Sequence, residues 1–245
     1  MATKKTDKDV KTLVLLDAHA ILHRAYHALP DFSSPSGEPT GALYGVVAML
    51  LSIVEDLKPD YIAACFDLPE PTYRHEVFKE YKAGRAKTDD SLVKQIIRSR
   101  DIFAALNIPI YEHSGFEADD MLGTIVDQTK DIKDLKVIIA SGDMDTLQLV
   151  DKKKVQVYTL RKGIKDTVMY DETAVKDRFK FDPLLVPDYK GLRGDPSDNI
   201  PGIAGIGEKT ATDLITNFGT LEKLYKALGK KDADEIFSAA GIKPR

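Results

Sequence analysis

Three short runs of apolar residues along the chain each end at an aspartate. Residues 13–16 are followed by Asp17, residues 61–66 by Asp67, and residues 137–140, after a Ser-Gly pair, by Asp143. Segments with helical spacing of apolar residues separate these runs, so the pattern predicts strand, crossover helix and strand in repetition. The sequence therefore predicts an α/β fold with a mostly parallel sheet flanked by helices.

The remaining apolar pattern completes this outline. We expect helices over 20–28 and from Leu92 onwards, a loop over 31–41, a strand over 155–159 and a basic turn over 161–165. The run 42–54 is too short to span a bilayer and is interpreted as a buried helix. Residues 183–189 are interpreted as the approach to a second module, which divides the chain into 1–185 and 186–245. That module has apolar helix faces at Leu214, Ile215, Phe218, Leu221 and Leu224.

The aspartates at the predicted strand ends are expected to lie close together. Parallel strands present their carboxyl ends at one edge of the sheet, and ligands of such folds bind beyond that edge. One aspartate after a strand is usually a helix cap. Three in one chain favour a crevice lined with carboxylates.

Two further acidic clusters follow in the sequence. Glu117, Asp119 and Asp120 precede an apolar helical segment, and Asp145 follows Asp143 on the same side of an extended chain. A helix dipole favours acids at a helix start. However, carboxylates about 5 Å apart repel by roughly 3 kcal/mol per pair at an effective dielectric constant near 20. A divalent cation would screen that repulsion.

Residues 191–211 combine an acidic pair with a glycine-rich turn. Asp195 and Asp198 stand three apart at a predicted helix start and are expected to point the same way. Glycines in a tight hairpin before a second helix let backbone N–H groups approach a phosphate, and the helix start adds partial positive charge. The residues of this candidate phosphate cradle are Gly202, Gly205, Gly207, Lys209 and Thr210.

Charge is unevenly distributed along the 245 residues, whose net charge is −4. Residues 72–100 hold eight Lys and Arg against four acids, with tyrosines and a phenylalanine between them. This suits contacts to phosphates and stacking on unpaired bases, although a solvated helix face is the plainer interpretation of a charge run. The lone Cys65 is expected to be buried, which excludes a disulfide framework. The polar start lacks an apolar signal core, so a cytoplasmic protein without a membrane segment is expected.

The acidic set has the chemistry of a site for hard cations. No cysteine or histidine accompanies it, and oxygen donors of this kind select Mg²⁺ or Mn²⁺. Two such ions can generate hydroxide and stabilise both the attacking and the leaving oxygen in phosphoryl transfer. Separately, His19, His23 and His27 fall at four-residue steps on one helix face, a spacing compatible with zinc, but a plain helix face near the crevice mouth is the favoured interpretation. The candidate ligands are Asp17, Asp67, Glu117, Asp119, Asp120, Asp143, Asp145, Asp195 and Asp198.

Five segments in order resemble the 5′-nuclease domains of bacterial DNA polymerases I, in the flap-endonuclease superfamily. They are LVLLDAHAILHRAYHALP, FDLPEPTYRHEVFKEYKAGR, GFEADDMLGT, ASGDMDTLQLV and GLRGDPSDNIPGIAGIGEKTA. The resemblance implies a PIN-like core over 1–185, a helix–hairpin–helix module over 186–245, and a helical arch at about 72–100. It also implies two divalent ions cutting near the junction of a 5′ flap, with products that carry 5′-phosphate and 3′-hydroxyl.

The resemblance assigns roles to further residues. Lys82 and Arg85 would lie near the scissile phosphate and act in catalysis with Asp143 and Asp195. Arg74 and Tyr81 would contact DNA, and a monovalent cation such as K⁺ would help the hairpin to bind the duplex. The implied substrates are DNA with a 5′ flap, a nick or a free 5′ end, acted on by a monomer that has a DNA polymerase as a possible partner.

Three features depart from the family pattern. Ala18 stands where the family usually has glycine, Pro196 lies between Asp195 and Asp198, and the sequence stops at 245. Proline suits a first helical turn. Whether the chain is a free-standing nuclease or part of a polymerase stays open.

Three other functions compete with a 5′-nuclease. A single-strand ribonuclease of the PIN toxin kind would share the acidic core but would not need the hairpin or the arch. A DNA-binding module without catalysis would lack some ligands, and none is missing. A small-molecule phosphatase also uses strand-end aspartates but has no need of a hairpin that binds a duplex.

Overall fold

The computed structural model describes residues 10–162 and 166–239. The polar start at 1–9, the end of the predicted basic turn at 163–165 and the terminal residues 240–245 lie outside the described residues. The chain forms two compact units, one of residues up to Tyr73 plus Ala86–Asp171, the other of Arg74–Arg85 plus Glu172 onwards. Each unit is described by itself.

The elements follow in chain order. The strands are β1 (Lys11–Asp17), β2 (Tyr61–Cys65), β3 (Ile110–Tyr111), β4 (Leu135–Ala140), β5 (Val155–Lys162), β6 (Asp166–Tyr170), β7 (Gly194–Asp195) and β8 (Ile200–Pro201). The helices are α1 (Ala18–Ala28), α2 (Gly41–Leu57), α3 (Tyr73–Val77), α4 (Asp90–Ala105), α5 (Ala118–Thr129), α6 (Glu172–Phe179), α7 (Val186–Arg193), α8 (Glu208–Phe218), α9 (Leu221–Leu228) and α10 (Ala233–Ala239).

The first unit is built on one mostly parallel sheet, as the apolar runs predict. The strand order is β3-β2-β1-β4-β5-β6, and only the β5–β6 pair is antiparallel. Asp17 pairs with Cys65 across β1 and β2, while Leu16 pairs with Ala140 across β1 and β4. This register brings the carboxyl ends of three neighbouring strands level with one another.

Both faces of the sheet are covered, which explains the continuous apolar runs of its strands. Val14 and Leu16 pack into a core with α1, α2 and α4, and the intervening Leu15 is also buried. Helix α5 contacts β1, β2 and β4. Helix α4 joins the core through Leu92 and Phe103, and Ile96 packs against it. The helical spacing also predicts that Val93 and Ile97 pack on the sheet, which is wrong, since they are 39% and 62% exposed.

Helix α2 is less buried than expected. Its inner face, which includes Val46 and Ile53, lies in the core, but Tyr44 is 59% exposed and Leu51 is 66% exposed. The prediction of a buried helix is therefore right for one face only. The run 42–54 is apolar all round, so its periodicity did not identify an outer face. No helix among residues 10–162 and 166–239 is long and apolar enough to cross a membrane.

The second unit is a small helical domain with its own core. Its buried side chains come from the segment before α7, from α7 itself, and from α8 and α9. The predicted apolar faces are confirmed, since Leu214, Ile215, Phe218, Leu221 and Leu224 all belong to or pack on this core.

The boundary between the units lies earlier than residue 185. Phe179, Phe181 and Tyr189 pack their rings together, with centroids 5.3–5.9 Å apart, and so anchor the residues around α6 in the second unit. The predicted arch at about 72–100 is too long at its C-terminal end, because 90–100 belongs to α4 in the first unit's core. Between 72 and 89 the structure has one five-residue helix, α3, followed by turns and loop.

Candidate active site

Asp17 is the last residue of β1 and is almost fully buried, at 5% exposure. Its Oδ1 accepts the Ala20 N–H of α1 at 3.0 Å, and its Oδ2 accepts the hydroxyl of Ser141 at 2.6 Å. Burial raises the pKa of Asp17 to about 6, with a smaller contribution from the charges of Asp67 and Asp143, while the two hydrogen bonds oppose the rise. These two hydrogen bonds hold the carboxylate in place at the end of β1.

Asp67 follows β2 two residues after its last residue, at the same edge of the sheet. Its Oδ1 accepts the N–H of Ala118, the first residue of α5, at 2.7 Å. Its own N–H donates to Nδ1 of His19 at 3.1 Å. These bonds connect the end of β2 to the starts of α1 and α5.

Asp119 lies in the first turn of α5. Burial raises the pKa of Asp119 to about 8, and the charges of Asp17, Asp143, Asp67 and Glu117 raise it further in that order. A carboxyl surrounded by four other carboxyls favours its protonated form unless a cation is present. Asp119 is therefore central to the acidic edge.

Asp143 and Ser141 follow β4 and complete this edge. The N–H of Asp143 donates to Ser141 Oγ at 2.9 Å, so one hydroxyl bridges Asp17 and the backbone of Asp143. Asp143 Oδ1 accepts the N–H of Asp145 at 2.9 Å. Ser141 was missed as a site residue, although its place directly after β4 follows the rule that identified the aspartates.

The first unit therefore brings together five of its seven predicted ligands, which are Asp17, Asp67, Glu117, Asp119 and Asp143. Asp120 has a different contact, since its Oδ2 accepts the N–H of Glu117 at 2.9 Å and closes the start of α5. In the described ranges, no group of three or more His, Cys, Asp or Glu side chains is arranged to hold an ion as it stands. Mutual repulsion of like charges is a physical reason for this spacing.

The donor set nevertheless suits a hard divalent cation. All five groups are carboxylates. Burial and the charges of neighbouring carboxylates raise the pKa values of Asp17 and Asp119, and a divalent cation would stabilise the ionised forms of both. Cys65 lies in the same field, and burial followed by the charges of Asp17, Asp119 and Asp67 raises the pKa of its thiol to about 12. It is a buried, unreactive thiol, as expected.

In the second unit, Asp195 ends β7 and caps a three-residue 3-10 turn at Pro196–Asp198 rather than a longer helix. Its Oδ2 accepts Lys190 Nζ at 2.8 Å, and its Oδ1 accepts the Ser197 hydroxyl at 2.6 Å. Burial alone would raise the pKa of Asp195, but the bonds from Lys190 and Ser197 hold it below its usual value. Pro196 fits the first position of the turn, as predicted.

Asp198 is paired with a residue predicted to bind phosphate. Its Oδ1 accepts Arg85 Nη2 at 2.6 Å, and its Oδ2 accepts the Tyr81 hydroxyl at 3.2 Å. A backbone hydrogen bond connects the same two segments, since the Lys82 N–H donates to the carbonyl of Asp198 at 2.9 Å. Asn199 Nδ2 donates to the carbonyl of Glu80 at 2.8 Å. Residues 80–85 are therefore fastened to 197–199.

This arrangement corrects the expectation for Tyr81. The ring was expected to stack on unpaired bases, but it is only 5% exposed. It packs edge-on against His75, with the Lys82 ammonium 4.9 Å from its centroid. Because its hydroxyl is bonded to Asp198, Tyr81 holds the 80–85 segment in place and is not available to a base.

The predicted glycine hairpin is present, and each of its three glycines occupies its position for a different structural reason. A Cβ at Gly202 would lie 2.2 Å from the carbonyl carbon of Arg193, so this glycine is required by packing. Gly205 has φ +83°, which favours glycine, and Gly207 caps α8 in open space. Lys209 is exposed and Thr210 half-buried in the first turn of α8.

The three histidines of α1 do not form a zinc site in the structure. Nδ1 of His19 already accepts the Asp67 N–H. The rings of His23 and His27 lie 6.3 Å apart between centroids. The role of His19 at the acidic edge was not foreseen.

Together, these features describe a two-unit protein with an acidic α/β unit and a helical unit. It has an α/β unit whose parallel sheet presents clustered carboxylates at its carboxyl edge, and a helical unit with a glycine hairpin and a separate acidic pair.

Two family models match the chain. "5'-3' exonuclease, N-terminal resolvase-like domain" covers residues 12–180, and "5'-3' exonuclease, C-terminal SAM fold" covers residues 181–240. The chain belongs to the 5′-3′ exonuclease family.

Sequence relatives agree with this assignment. The chain is 43% identical over 221 residues to DNA polymerase I of Caldicellulosiruptor bescii, covering 89% of this chain and 26% of that protein. It is 42% identical over 231 residues to DNA polymerase I of Bacillus subtilis, covering 92% of this chain and 26% of that protein. The chain thus spans about a quarter of the length of these relatives.

Solved structures share the fold. Bacteriophage T5 5′-exonuclease, solved with bound zinc ions, superposes with a TM-score of 0.72 at 23% identity, over 94% of this chain and 85% of that chain. A complex of the bacteriophage T5 flap endonuclease with DNA and metal ions gives a TM-score of 0.71 at 22% identity over the same shares. The predicted fold class and family resemblance are confirmed.

Proposed function

We propose that the chain is a structure-selective 5′-nuclease that hydrolyses phosphodiester bonds in DNA carrying a 5′ flap, a nick or a free 5′ end. The observation that carries the proposal is the cluster of five carboxylates at the edge of the sheet, two of which, Asp17 and Asp119, have pKa values raised by burial and by the charges of the other carboxylates. Perturbed acids gathered in one place are typical of functional sites. Membership of the 5′-3′ exonuclease family supports the same reaction.

Two Mg²⁺ or Mn²⁺ ions are the proposed cofactors. Paired divalent ions supply hydroxide at neutral pH and stabilise the attacking and leaving oxygens of a phosphodiester. Asp195 and Asp198 are proposed as additional ligands, with Lys190 and Arg85 giving up their present contacts when a cation binds. Asp120 and Asp145 would act behind the directly bound carboxylates. The remaining proposed ligands are Asp17, Asp67, Glu117, Asp119 and Asp143.

The chain's own cations have a separate role in the proposal. Lys82 and Arg85 would bind the scissile phosphate and orient it, and Arg74 would hold a neighbouring phosphate. Arg85 is half-exposed and needs only to exchange the Asp198 carboxylate for a phosphate oxygen, which its guanidinium binds in a similar way.

The hairpin is proposed as the duplex-binding element. Residues 201–205 are exposed, and the backbone turns at Gly205 before α8 begins. Gly202, Gly205, Gly207, Lys209 and Thr210 would hold the phosphate backbone, with one K⁺ bound at the turn. A cytoplasmic monomer that acts in replication and repair beside a DNA polymerase completes the proposal, since the relatives named above are DNA polymerases I.

A cleavage assay tests this function. Flap, nicked and single-stranded DNA, and single-stranded RNA, are incubated with the protein with and without Mg²⁺. We expect Mg²⁺-dependent cleavage of flap DNA, and Asp143→Ala should lower its rate by at least about 100-fold while binding stays within about 3-fold. Asp127→Ala, an exposed acid of α5, is the matched control. Cleavage of RNA alone, or an Asp143→Ala protein as active as wild type, would refute the proposal.

A further inference from the structure

His19 is a partly buried imidazole that the proposed chemistry does not use. It is the second residue of α1 and stands two positions after Asp17, the last residue of β1. Its side chain is only 19% exposed. Nδ1 accepts the backbone N–H of Asp67 at 3.1 Å and lies 3.5 Å from Asp67 Oδ2. The bond joins two residues 48 positions apart in the sequence.

Neighbouring rings restrict the imidazole. His19 meets the ring of Phe66 edge-on at 5.6 Å, and Phe66 in turn meets Phe103 edge-on at 5.4 Å. The guanidinium of Arg100 lies 4.4 Å from the Phe66 centroid on the ring face. Phe66 and Phe103 are both 1% exposed, so this layer cannot shift easily. The direction of Nδ1 is therefore set by packing in the core.

The contact bears on the geometry of Asp67. His19 fixes the backbone of this residue, and the Ala118 N–H at 2.7 Å fixes one carboxylate oxygen. These two bonds determine where the carboxylate lies among Asp17, Asp119 and Asp143, with which it interacts. Without the imidazole acceptor, Asp67 would lose one of its two anchors to neighbouring elements.

We infer that His19 is a positioning residue that holds Asp67 in the orientation needed to bind a divalent cation at the acidic edge. The inference rests on the proposed function. Groups that orient metal-binding side chains typically change metal affinity or activity 10–100-fold when they are removed. The role depends on Nδ1, because this nitrogen accepts the Asp67 N–H. A hydrogen-bond acceptor at the position of Nε2 would not replace it.

Three substitutions separate this role from simple packing. His19→Asn places a carbonyl oxygen close to the position of Nδ1, His19→Gln places one close to Nε2, and His19→Ala has no acceptor. Mn²⁺ binding to the intact chain is measured by titration calorimetry, with folding checked by thermal melting. We expect His19→Ala and His19→Gln to weaken Mn²⁺ binding about 10-fold or more. His19→Asn should stay within about 3-fold of wild type. His27→Ala, at the exposed end of the same helix, is the matched control and should bind as wild type does.

A double-mutant cycle with Asp67→Asn completes the test. If His19 acts through the Asp67 carboxylate, His19→Ala should cause no further loss of Mn²⁺ affinity in the Asp67→Asn background. Equal losses in both backgrounds, wild-type affinity in His19→Ala, or equal behaviour of the Asn and Gln variants would overturn the inference. A wild-type chain that binds no Mn²⁺ would instead refute the proposed function on which the inference rests.

Discussion

Asp119 is the residue at which the balance between folding and metal binding is clearest. Burial and the charges of Asp17, Asp143 and Asp67 raise its pKa from 3.8 to about 8, so the folded chain binds this proton more tightly than the unfolded chain does. The stability that this proton contributes is complete below about pH 4 and is lost as the pH rises through about 8. A divalent cation should remove this penalty, because it favours the ionised form.

The first prediction concerns Asp119→Asn in metal-free buffer. At pH 8 this variant should be more stable than wild type by about 1–3 kcal/mol, since a neutral amide avoids the cost of ionisation. Below about pH 4 the difference should vanish, because the carboxyl is then protonated in both the folded and the unfolded chain. Thermal melting in metal-free buffer across pH 3.5–9 measures it. Asp127→Asn, exposed on the same helix, is the control. Parallel pH profiles for wild type and Asp119→Asn would contradict the account of this cluster.

Lys82 and Arg85 carry the second prediction at the residue scale. Lys82→Ala and Arg85→Ala should slow single-turnover cleavage of flap DNA by about 100-fold, while duplex affinity changes less than about 5-fold. Phosphate contacts that strengthen in the transition state act on the rate. Arg98→Ala is the control, because Arg98 pairs with Asp101 on the surface of α4. If both variants changed affinity alone, their assignment to catalysis would be wrong.

At the scale of elements, the turn between α7 and α8 depends on close backbone packing. Gly194 has φ +83°, and a Cβ at Gly202 would lie 2.2–2.4 Å from the backbone of Arg193 and Gly194. The Ile203 N–H then donates to the Leu192 carbonyl at 2.9 Å. The path of the hairpin is thus fixed by α7 before any ligand is involved.

The third prediction compares two glycines of this hairpin. Gly202→Ala should destabilise the protein by about 3 kcal/mol or more, because the backbone atoms of Arg193 and Gly194 cannot move away from the new methyl group. Gly207→Ala should change stability by less than about 1 kcal/mol, since nothing lies within 4 Å of a Cβ built there. Urea denaturation measures both. Equal stabilities of the two variants would show that the close approach at Gly202 is not a real constraint.

At the scale of the whole molecule, a net charge of −4 has to be reconciled with binding to DNA. Nine candidate ligands account for much of the acidity, and the other 30 acids face 35 Lys and Arg. With cations bound at the carboxylates, the rest of the surface is net positive. The distribution of charge, rather than its sum, then governs the encounter with phosphates.

The fourth prediction follows from this distribution. Affinity for flap DNA should fall steeply with salt, because binding releases counterions from the phosphates. Lys209→Ala should reduce the slope of log K against log salt by about one. Lys176→Ala should not, since Lys176 is engaged by Glu172 and Asp182. Fluorescence anisotropy at 50–300 mM salt in EDTA gives the slopes. A flat profile for wild type would count against DNA as the ligand.

The parts of the fold that the sequence predicted are those that depend on local pattern. Apolar runs identified β1, β2 and β4, and the parallel register then required Asp17, Asp67 and Asp143 to lie at one edge. Ser141 follows the same rule and could have been included.

Contacts between segments that are far apart in the sequence could not be predicted from local pattern. Arg85 and Asp198 are 113 residues apart, and Tyr81 and Asp198 are 117 apart, so neither the ion pair nor the burial of Tyr81 leaves a local trace. Helix α2 shows a related limit, because a helix that is apolar all round does not reveal which face has a neighbour. The division after Asp171 could not be predicted from local pattern, because Phe179 and Phe181 join the second unit through ring contacts with Tyr189.

The central claim is that carboxylates from separate strand ends and from the start of α5 form one site for divalent cations. Crystals of the protein soaked in MnCl₂ and measured at the manganese absorption edge test it directly. The account predicts anomalous peaks about 2.0–2.6 Å from carboxylate oxygens of Asp119 and its neighbours Asp17, Asp67 and Asp143. Manganese bound only elsewhere on the protein, in crystals of a preparation that cleaves flap DNA with Mn²⁺, would contradict it.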